Sequence, residues 1–324
     1  GYEARMMHKT PKAIVFNKHG VGHMARVEHF PKPGETLRAL EWKFGEDAGK
    51  GTNVAMVLGL LGIETAFVCK VGRDHEGELG VQWLQSVGVD VTHFQLDAAL
   101  QTDVGLVITQ TDGENVIIGS PAHACYSTFA DVRQAIDDFE GAQYFLTGFE
   151  IDQELPLEAC RYAKSKGMQT LLNPSPLVKI PAQSLEDVDY LFVNEIEAAQ
   201  LAGMQTLGEN WRAAMERILA QYKPKHVLMT LGATGCVVGS AGAISFCPSY
   251  RVNVVDTIGA GDGFMAAFTA GLSWGMDCVE AADWANRYSA VVVSRKGSIL
   301  SYPTLEQVRE LSRGLQKNLT KEGA

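Results

Sequence analysis

The chain has 324 residues, 46% of them hydrophobic, and a formal net charge of −10. That length allows one large domain or two, at roughly 100–200 residues per domain, with ample apolar content for a core. The acidic balance argues against nucleic acid or an anionic membrane as a partner, since either wants a basic face. No apolar run approaches bilayer-spanning length and no signal-peptide hydrophobic region is present, so a cytoplasmic protein is expected.

In chain order, Gly1 to about Thr10 read as a loose lead. Met24 to Ala39 alternates apolar and polar residues around Pro31-Lys32-Pro33-Gly34, an extended pattern. His19, His23 and His29 invite a metal reading, but the region around them reads as extended, which sets them too far apart to share one ion easily, and they read as structural or solvent-facing. A helix is expected over Val54 to Leu61. Val104 to Gly119 reads as a hairpin turning at Thr111-Asp112-Gly113-Glu114. From about Pro121 onward strands and helices alternate. Helical patterns cover Val132–Phe139, Pro156–Gly167, Glu195–Ala202, Trp211–Gln221, Asp262–Trp274 and Cys278 to about Ser294. Strand patterns cover Ala142–Thr147, Gln169–Leu172, Tyr190–Val193, His226–Thr230 and Gly235–Val238. The alternation predicts an α/β fold with a mainly parallel sheet covered on both faces. The two hairpin-like stretches, about 21–44 and 102–120, predict a small antiparallel sheet outside it, a lid over the strand ends where ligands of open α/β sheets bind. The single domain expected spans 11–316, with a solvated tail over 317–324. The six cysteines (Cys69, Cys125, Cys160, Cys236, Cys247, Cys278) are scattered without a C-x-x-C spacing and read as reduced core thiols.

Several segments carry chemistry. In Asp256-Thr257-Ile258-Gly259-Ala260-Gly261-Asp262-Gly263-Phe264, a glycine-rich turn feeds a helix, and converging N–H groups there form an anion hole. Asp262 at its lip suits a base that takes a proton from an attacking hydroxyl; a helix cap is the alternative on local grounds. Gly45 to Asn53 is a second glycine-flanked helix start, bearing Lys50 and Asn53, without Walker A spacing. Asn194-Glu195-Ile196-Glu197 follows a strand and suits either hydrated Mg²⁺ or a capping box. Thr230-Leu231-Gly232-Ala233-Thr234-Gly235 is a small-residue turn that admits a ligand close to backbone, or a plain hairpin turn. Glu150, just past a strand end, is placed to bond a sugar hydroxyl or to be solvated.

Together these segments resemble the ribokinase (phosphofructokinase-B) family of sugar kinases over nearly the whole chain. Ala48-Gly49-Lys50-Gly51-Thr52-Asn53-Val54-Ala55, with Gly62 and Gly72, fits the family's N-terminal signature, and Asp256 to Thr269 fits its C-terminal one. Phe30-Pro31-Lys32-Pro33-Gly34-Glu35-Thr36, Val71-Gly72-Arg73-Asp74, Asn173-Pro174-Ser175-Pro176 and Asn194 to Glu197 fall between as landmarks in the right order. The resemblance implies a three-layer α/β/α sandwich and transfer of the γ-phosphoryl group of MgATP to a primary hydroxyl, with ribose the leading acceptor. It makes Asp262 the base and gives the N–H groups around Gly259, Ala260 and Gly261 the developing charge. By the same resemblance Asn194, Thr230, Gly232, Gly235, Gly261 and Asn286 contact ATP, and Glu197 serves Mg²⁺ through water. Gly20, Gly22, Gly49, Lys50, Asn53, Glu150 and Asp262 match sugar-binding positions. A K⁺ ion is implied at Asp256, the carbonyl of Ile258, and oxygens at Val292, Arg295, Gly297 and Ser301. The free lid edge makes a homodimer the expected assembly.

One departure stands out. Where ribokinases carry N-x-D on the first strand, this chain has Gly20-Val21-Gly22, so the expected carboxylate is missing at Gly22. Its loss weakens discrimination for an unmodified furanose, and Lys18, His19 and His23 become candidates to meet an anionic or differently shaped acceptor. A kinase for nucleosides, hexoses or sugar acids, or a binding protein without catalysis, is the alternative.

Overall fold

In this computed structural model, which describes residues 10–119 and 126–318, the chain divides into two sheets. Residues 1–9 of the expected lead, Cys125 and residues 319–324 of the tail lie outside the described residues. The larger sheet contains β1 (Ala13–Phe16), β4 (Thr65–Gly72), β5 (Phe94–Asp97), β8 (Tyr144–Gly148), β9 (Gln169–Asn173), β10 (Tyr190–Val193), β11 (His226–Thr230), β12 (Gly235–Ser240) and β13 (Ala243–Pro248). Its order is β13-β12-β11-β10-β9-β8-β1-β4-β5. Every pairing from β5 across to β11 is parallel, and β12 and β13 add antiparallel strands at one edge. β1 and β10 are buried at every position, as strands covered on both faces must be. Alternate residues of β1 serve opposite cores. Ala13 and Val15 join one cluster with helices α1 (Gly49–Leu60), α7 (Ala260–Ser273) and α8 (Cys278–Val293); Ile14 and Phe16 join the other with α3 (Phe129–Asp138), α4 (Glu154–Ser165) and α6 (Trp211–Tyr222). The remaining helices are α2 (His75–Ser86), α5 (Glu195–Leu201) and α9 (Leu305–Leu311). Among the described residues, no helix is long and apolar enough to cross a membrane.

The smaller sheet runs β3-β2-β6-β7, from β2 (Gly20–Val27), β3 (Glu41–Asp47), β6 (Asp103–Gln110) and β7 (Asn115–Ile118). The β2–β3 and β6–β7 pairings are antiparallel, as the hairpin patterns indicate; the central β2–β6 pairing is parallel, a junction between segments far apart in sequence. The alternation over Met24–Ala39 is not one strand. β2 stops at Val27 and β3 begins at Glu41, with Pro31 and Pro33, which cannot donate to a ladder, in the connection. Two helix starts also move. The helix expected from Val54 begins at Gly49, and the one expected from Asp262 begins at Ala260.

β1 lies between β4 and β8, and the chain leaves it in opposite directions, so its carboxyl end is the switch point of the sheet. There Asn17 and Lys18 lead into the lid, and α1 packs down on them through Gly51. A Cβ at Gly51 would lie 2.7 Å from the Lys18 carbonyl oxygen and 2.9 Å from Asn17 Cβ. Gly51→Ala is therefore expected to cost about 1–3 kcal/mol of stability by overpacking against backbone. Urea denaturation measures it, and an unchanged midpoint would show that α1 is free to shift.

Candidate active site

The start of α7 is shaped by Gly259. Its φ of +77° is open to glycine, and a Cβ there would lie 2.2 Å from the Tyr302 hydroxyl oxygen, which donates to the Gly259 carbonyl at 3.0 Å. Gly259 is the N-cap residue and no side chain caps this helix. Asp262 therefore sits inside the first turn and is not a cap. It is 5% exposed, and its Oδ2 accepts a hydrogen bond from Asn53 Nδ2 at 2.9 Å. Its Oδ1 has no hydrogen-bond partner and lies 4.0 Å from Lys50 Nζ. Burial raises the Asp262 carboxyl above its ordinary range, against the pull of Lys50 and Asn53, which makes it a stronger base. The Ala260 N–H is taken by the Thr257 carbonyl at 3.3 Å, and the next N–H groups have no acceptor within the helix, as in any first turn.

Asn53 and Lys50 come from the first turn of α1, and the same Asn53 Nδ2 donates to Asp47 Oδ1 at 2.8 Å. The Lys50 backbone N–H donates to Glu150 Oε1 at 2.5 Å, and burial pushes the Glu150 carboxyl up to about 7. Gly49, at φ +83°, brings this turn against the lid; a Cβ on it would lie 3.2 Å from the Lys18 carbonyl and 3.3 Å from Gly20 N. So Gly49, Lys50, Asn53, Glu150 and Asp262 do converge, with Gly20 and Gly22 on the neighbouring lid strand.

The side chains proposed for an anionic acceptor are committed elsewhere. Lys18 is buried in an ion pair with Asp103 of β6. His19 is fully buried, with Nδ1 against Thr52 Oγ1 at 2.7 Å and Nε2 against the Glu76 carbonyl at 2.9 Å, and burial pushes its pKa down to about 4. It is neutral at physiological pH. His23 Nδ1 accepts from the Gly45 N–H at 3.1 Å, and His29 pairs with Glu35 at the surface.

Beside α7 lies a cavity of about 510 Å³, within the range of small-molecule sites. Thr230, Gly232, Gly235, Gly261 and Asn286 all line it. The segment Thr230–Gly235 is indeed the β11–β12 turn, a 3₁₀ turn over Gly232–Thr234, and it also forms a wall. Gly235 has φ +141°, and a Cβ there would lie 2.1 Å from the Cys247 carbonyl, so no side chain fits. Asn286 is buried and donates to the same carbonyl at 3.1 Å. Sequence reasoning missed the apolar walls contributed by Val252, Val254 and Val293, which join Phe264 of the glycine-rich run. Single valines in a connection or at a helix end carry no motif.

Asn194 does not line that cavity; it forms a capping box with Glu197, with Glu197 N–H donating to Asn194 Oδ1 at 2.8 Å and Asn194 N–H to Glu197 Oε1 at 3.0 Å. The structural alternative for this pair is thus realised. Glu197 nevertheless acts electrostatically on both Asp262 and Lys50. One such carboxylate suits Mg²⁺, which keeps most of its waters and takes the rest of its ligands from phosphates. Asp256 Oδ1 accepts from the Ile258 N–H and Oδ2 from the Gly297 N–H, both at 3.0 Å. A Cβ on Gly297 would lie 2.9 Å from the Ile258 carbonyl oxygen, so Asp256, Ile258 and Gly297 meet. Arg295 N–H donates to the Val292 carbonyl at 3.2 Å, and the Ser301 hydroxyl donates to the Ser298 carbonyl at 2.9 Å. These oxygens serve their own loop. The Ile299 N–H of the same loop donates to the Glu46 carbonyl of β3 at 3.0 Å.

A buried carboxylate at the start of a helix that also walls a small-molecule-sized cavity suits a phosphotransferase acting on an alcohol. The chain belongs to the pfkB family of carbohydrate kinases, whose pattern it matches over residues 21–305. It is 28% identical over 303 residues to a ribokinase of Staphylococcus aureus, covering 93% of this chain and 100% of that one. A deoxyribokinase of Salmonella typhi is 28% identical over 285 residues, covering 88% and 93%. The structure of Arabidopsis thaliana ribokinase complexed with ribose and ATP superposes with a TM-score of 0.80 at 26% identity, covering 94% of this chain and 99% of that one.

The raised pKa of Glu150 makes a stability prediction. An unfolded Glu ionises near 4.5 and the folded one near 7, so the folded state holds its proton longer and its advantage is lost as pH rises through 7. Glu150→Gln keeps an acceptor for the Lys50 N–H and never ionises. It should raise Tm relative to the unaltered protein at pH 8 and do so much less at pH 5; an equal difference at both pH values would show that Glu150 is solvated.

Proposed function

We propose that this protein transfers the γ-phosphoryl group of MgATP to a primary hydroxyl of a neutral sugar, with ribose the leading candidate. The observation that carries this is Asp262, buried at the start of α7 with its Oδ1 lacking a hydrogen-bond partner. Its Oδ1 takes the hydroxyl proton as the hydroxyl oxygen attacks the γ-phosphorus, and ADP is the leaving group. Lys50 opposes the upward push of burial on Asp262 and so favours its ionised form. N–H groups of the first turn of α7 receive charge on the transferring phosphoryl group without reorganising. Val252, Val254 and Phe264 offer an apolar seat for the base, and Gly232 and Gly235 let the nucleotide approach backbone.

Mg²⁺ bound to the nucleotide would neutralise phosphate charge, with Glu197 and Asn194 as the residues that hold it through water. K⁺ would be held by Asp256, the Ile258 carbonyl and the Gly297 region, beside the same helix start. A neutral acceptor is favoured over a sugar acid because Lys18 is spent on Asp103 and His19 is uncharged. The lid exposes Trp42 and Phe44 on one edge strand and Ile117 and Ile118 on the other, and a free edge of this kind is where a second copy would pair.

Two measurements test the reading. Asp262→Asn should lower kcat by roughly 10²–10⁴-fold, the worth of a positioned base, while ATP still binds by calorimetry. Undiminished turnover removes Asp262 from the chemistry. In a panel of pentoses, hexoses, nucleosides and sugar acids, a neutral pentose should give the highest kcat/KM, and K⁺ should raise it relative to Na⁺. A sugar acid as best acceptor would overturn the assignment of a neutral one.

A further inference from the structure

Gly22 has no side chain, yet the space beside it is not empty. Gly22 on β2 pairs with Asp47 on β3, and a Cβ built on Gly22 would lie 3.2 Å from Asp47 Cβ and 3.8 Å from Asp47 Oδ2. We propose that Asp47 is the carboxylate that binds the acceptor's hydroxyls and sets the selectivity of this kinase for a neutral polyol, an inference that rests on the kinase reading above.

Asp47 is the last residue of β3 and leads directly into the turn that carries Lys50 and Asn53. Asn53 Nδ2 donates to Asp47 Oδ1 and to Asp262 Oδ2, so one amide nitrogen lies within hydrogen-bond distance of both carboxylates. Neighbouring hydroxyls of one sugar can reach both acids. An ionised carboxylate is acceptor-only, which matches hydroxyl donors and repels a carboxylate on the acceptor. Two further atoms in the cluster need a ligand. Asn53, 3% exposed, and Asp262, 5% exposed, each bury an Oδ1 that has no partner, and buried polar atoms are ordinarily paired. Hydroxyl groups supply the missing donors.

A comparison within the lid separates Asp47 from a merely structural acid. Gly20 of β2 stands beside Asp103 of β6 in the same way that Gly22 stands beside Asp47. Asp103 is neutralised by buried Lys18. Among the described residues no cation forms an ion pair with Asp47, and its residue is only half-buried. The lid therefore carries two acids opposite two glycines, one spent on the protein and one free for a substrate.

The test is steady-state kinetics of the full chain with D-ribose, other neutral sugars and D-gluconate, read as ADP release, alongside KM for ATP and Tm. Asp47→Asn keeps an acceptor for Asn53 and removes the charge; Asp47→Ala removes both. Both should raise the KM of the neutral acceptor roughly 10- to 100-fold, the range of a lost hydrogen bond to a charged group, with kcat changed far less and KM for ATP within twofold. The double variant Gly22→Asp with Asp47→Gly moves the carboxylate to the facing strand and should recover at least tenfold of the acceptor affinity. Acceptor KM within twofold in both single variants, or no recovery in the double variant, overturns the role of Asp47 alone. An unaltered protein that phosphorylates no member of the panel overturns the kinase reading and this one together.

Discussion

One amide nitrogen joins the parts of this site. Asn53 Nδ2 donates to Asp262 on α7, and to Asp47 on the lid. Asp262 lies more than two hundred positions from the other two, and they meet because α1 and α7 pack side by side in one core beneath the carboxyl end of β1. Two negative groups held so close repel, and the arrangement is tolerable because each accepts a hydrogen bond and because Lys50 adds positive charge beside Asp262. Burial above all, with the Asp47 charge adding to it, makes Asp262 a stronger base than an ordinary aspartate. Stability is given up locally for reactivity, as is common where strained or charged groups serve chemistry.

Much of the architecture was legible in the residues. Parallel strands buried on both faces appear as unbroken apolar runs such as Tyr190–Val193, and helices as amphipathic stretches bounded by caps, so their order alone indicates an α/β layer. The glycine-rich helix starts were legible for a similar reason, since backbone conformation is set by neighbouring residues. Boundaries at those starts were less so. Glycines with little helix propensity open α1 and α7, and tertiary packing carries both helices further towards their N-termini than propensity suggests.

What the sequence concealed depends on contacts between distant segments. The central lid pairing is parallel and joins Gly20–Val27 to Asp103–Gln110, a register that no local pattern encodes. The fate of Lys18 turns on Asp103, and that of His19 on Thr52 and the Glu76 carbonyl, so both were available to a ligand until their neighbours were known. Asp47 was hidden for the converse reason. It lies in no glycine motif of its own and gains meaning only from the residue facing it across the sheet.

The backbone bond from Ile299 to Glu46 ties the loop that follows α8 to the end of β3, one residue before Asp47. Asp256 holds the same loop through Gly297. The loop and the lid end thus share an anchor, and order in either restricts the other. Whatever binds preferentially to the joined state on one side must, by thermodynamic reciprocity, be held more tightly when the other side is occupied. An ion held at the loop and a hydroxyl held at the lid would therefore not be independent ligands but two readings of a single equilibrium.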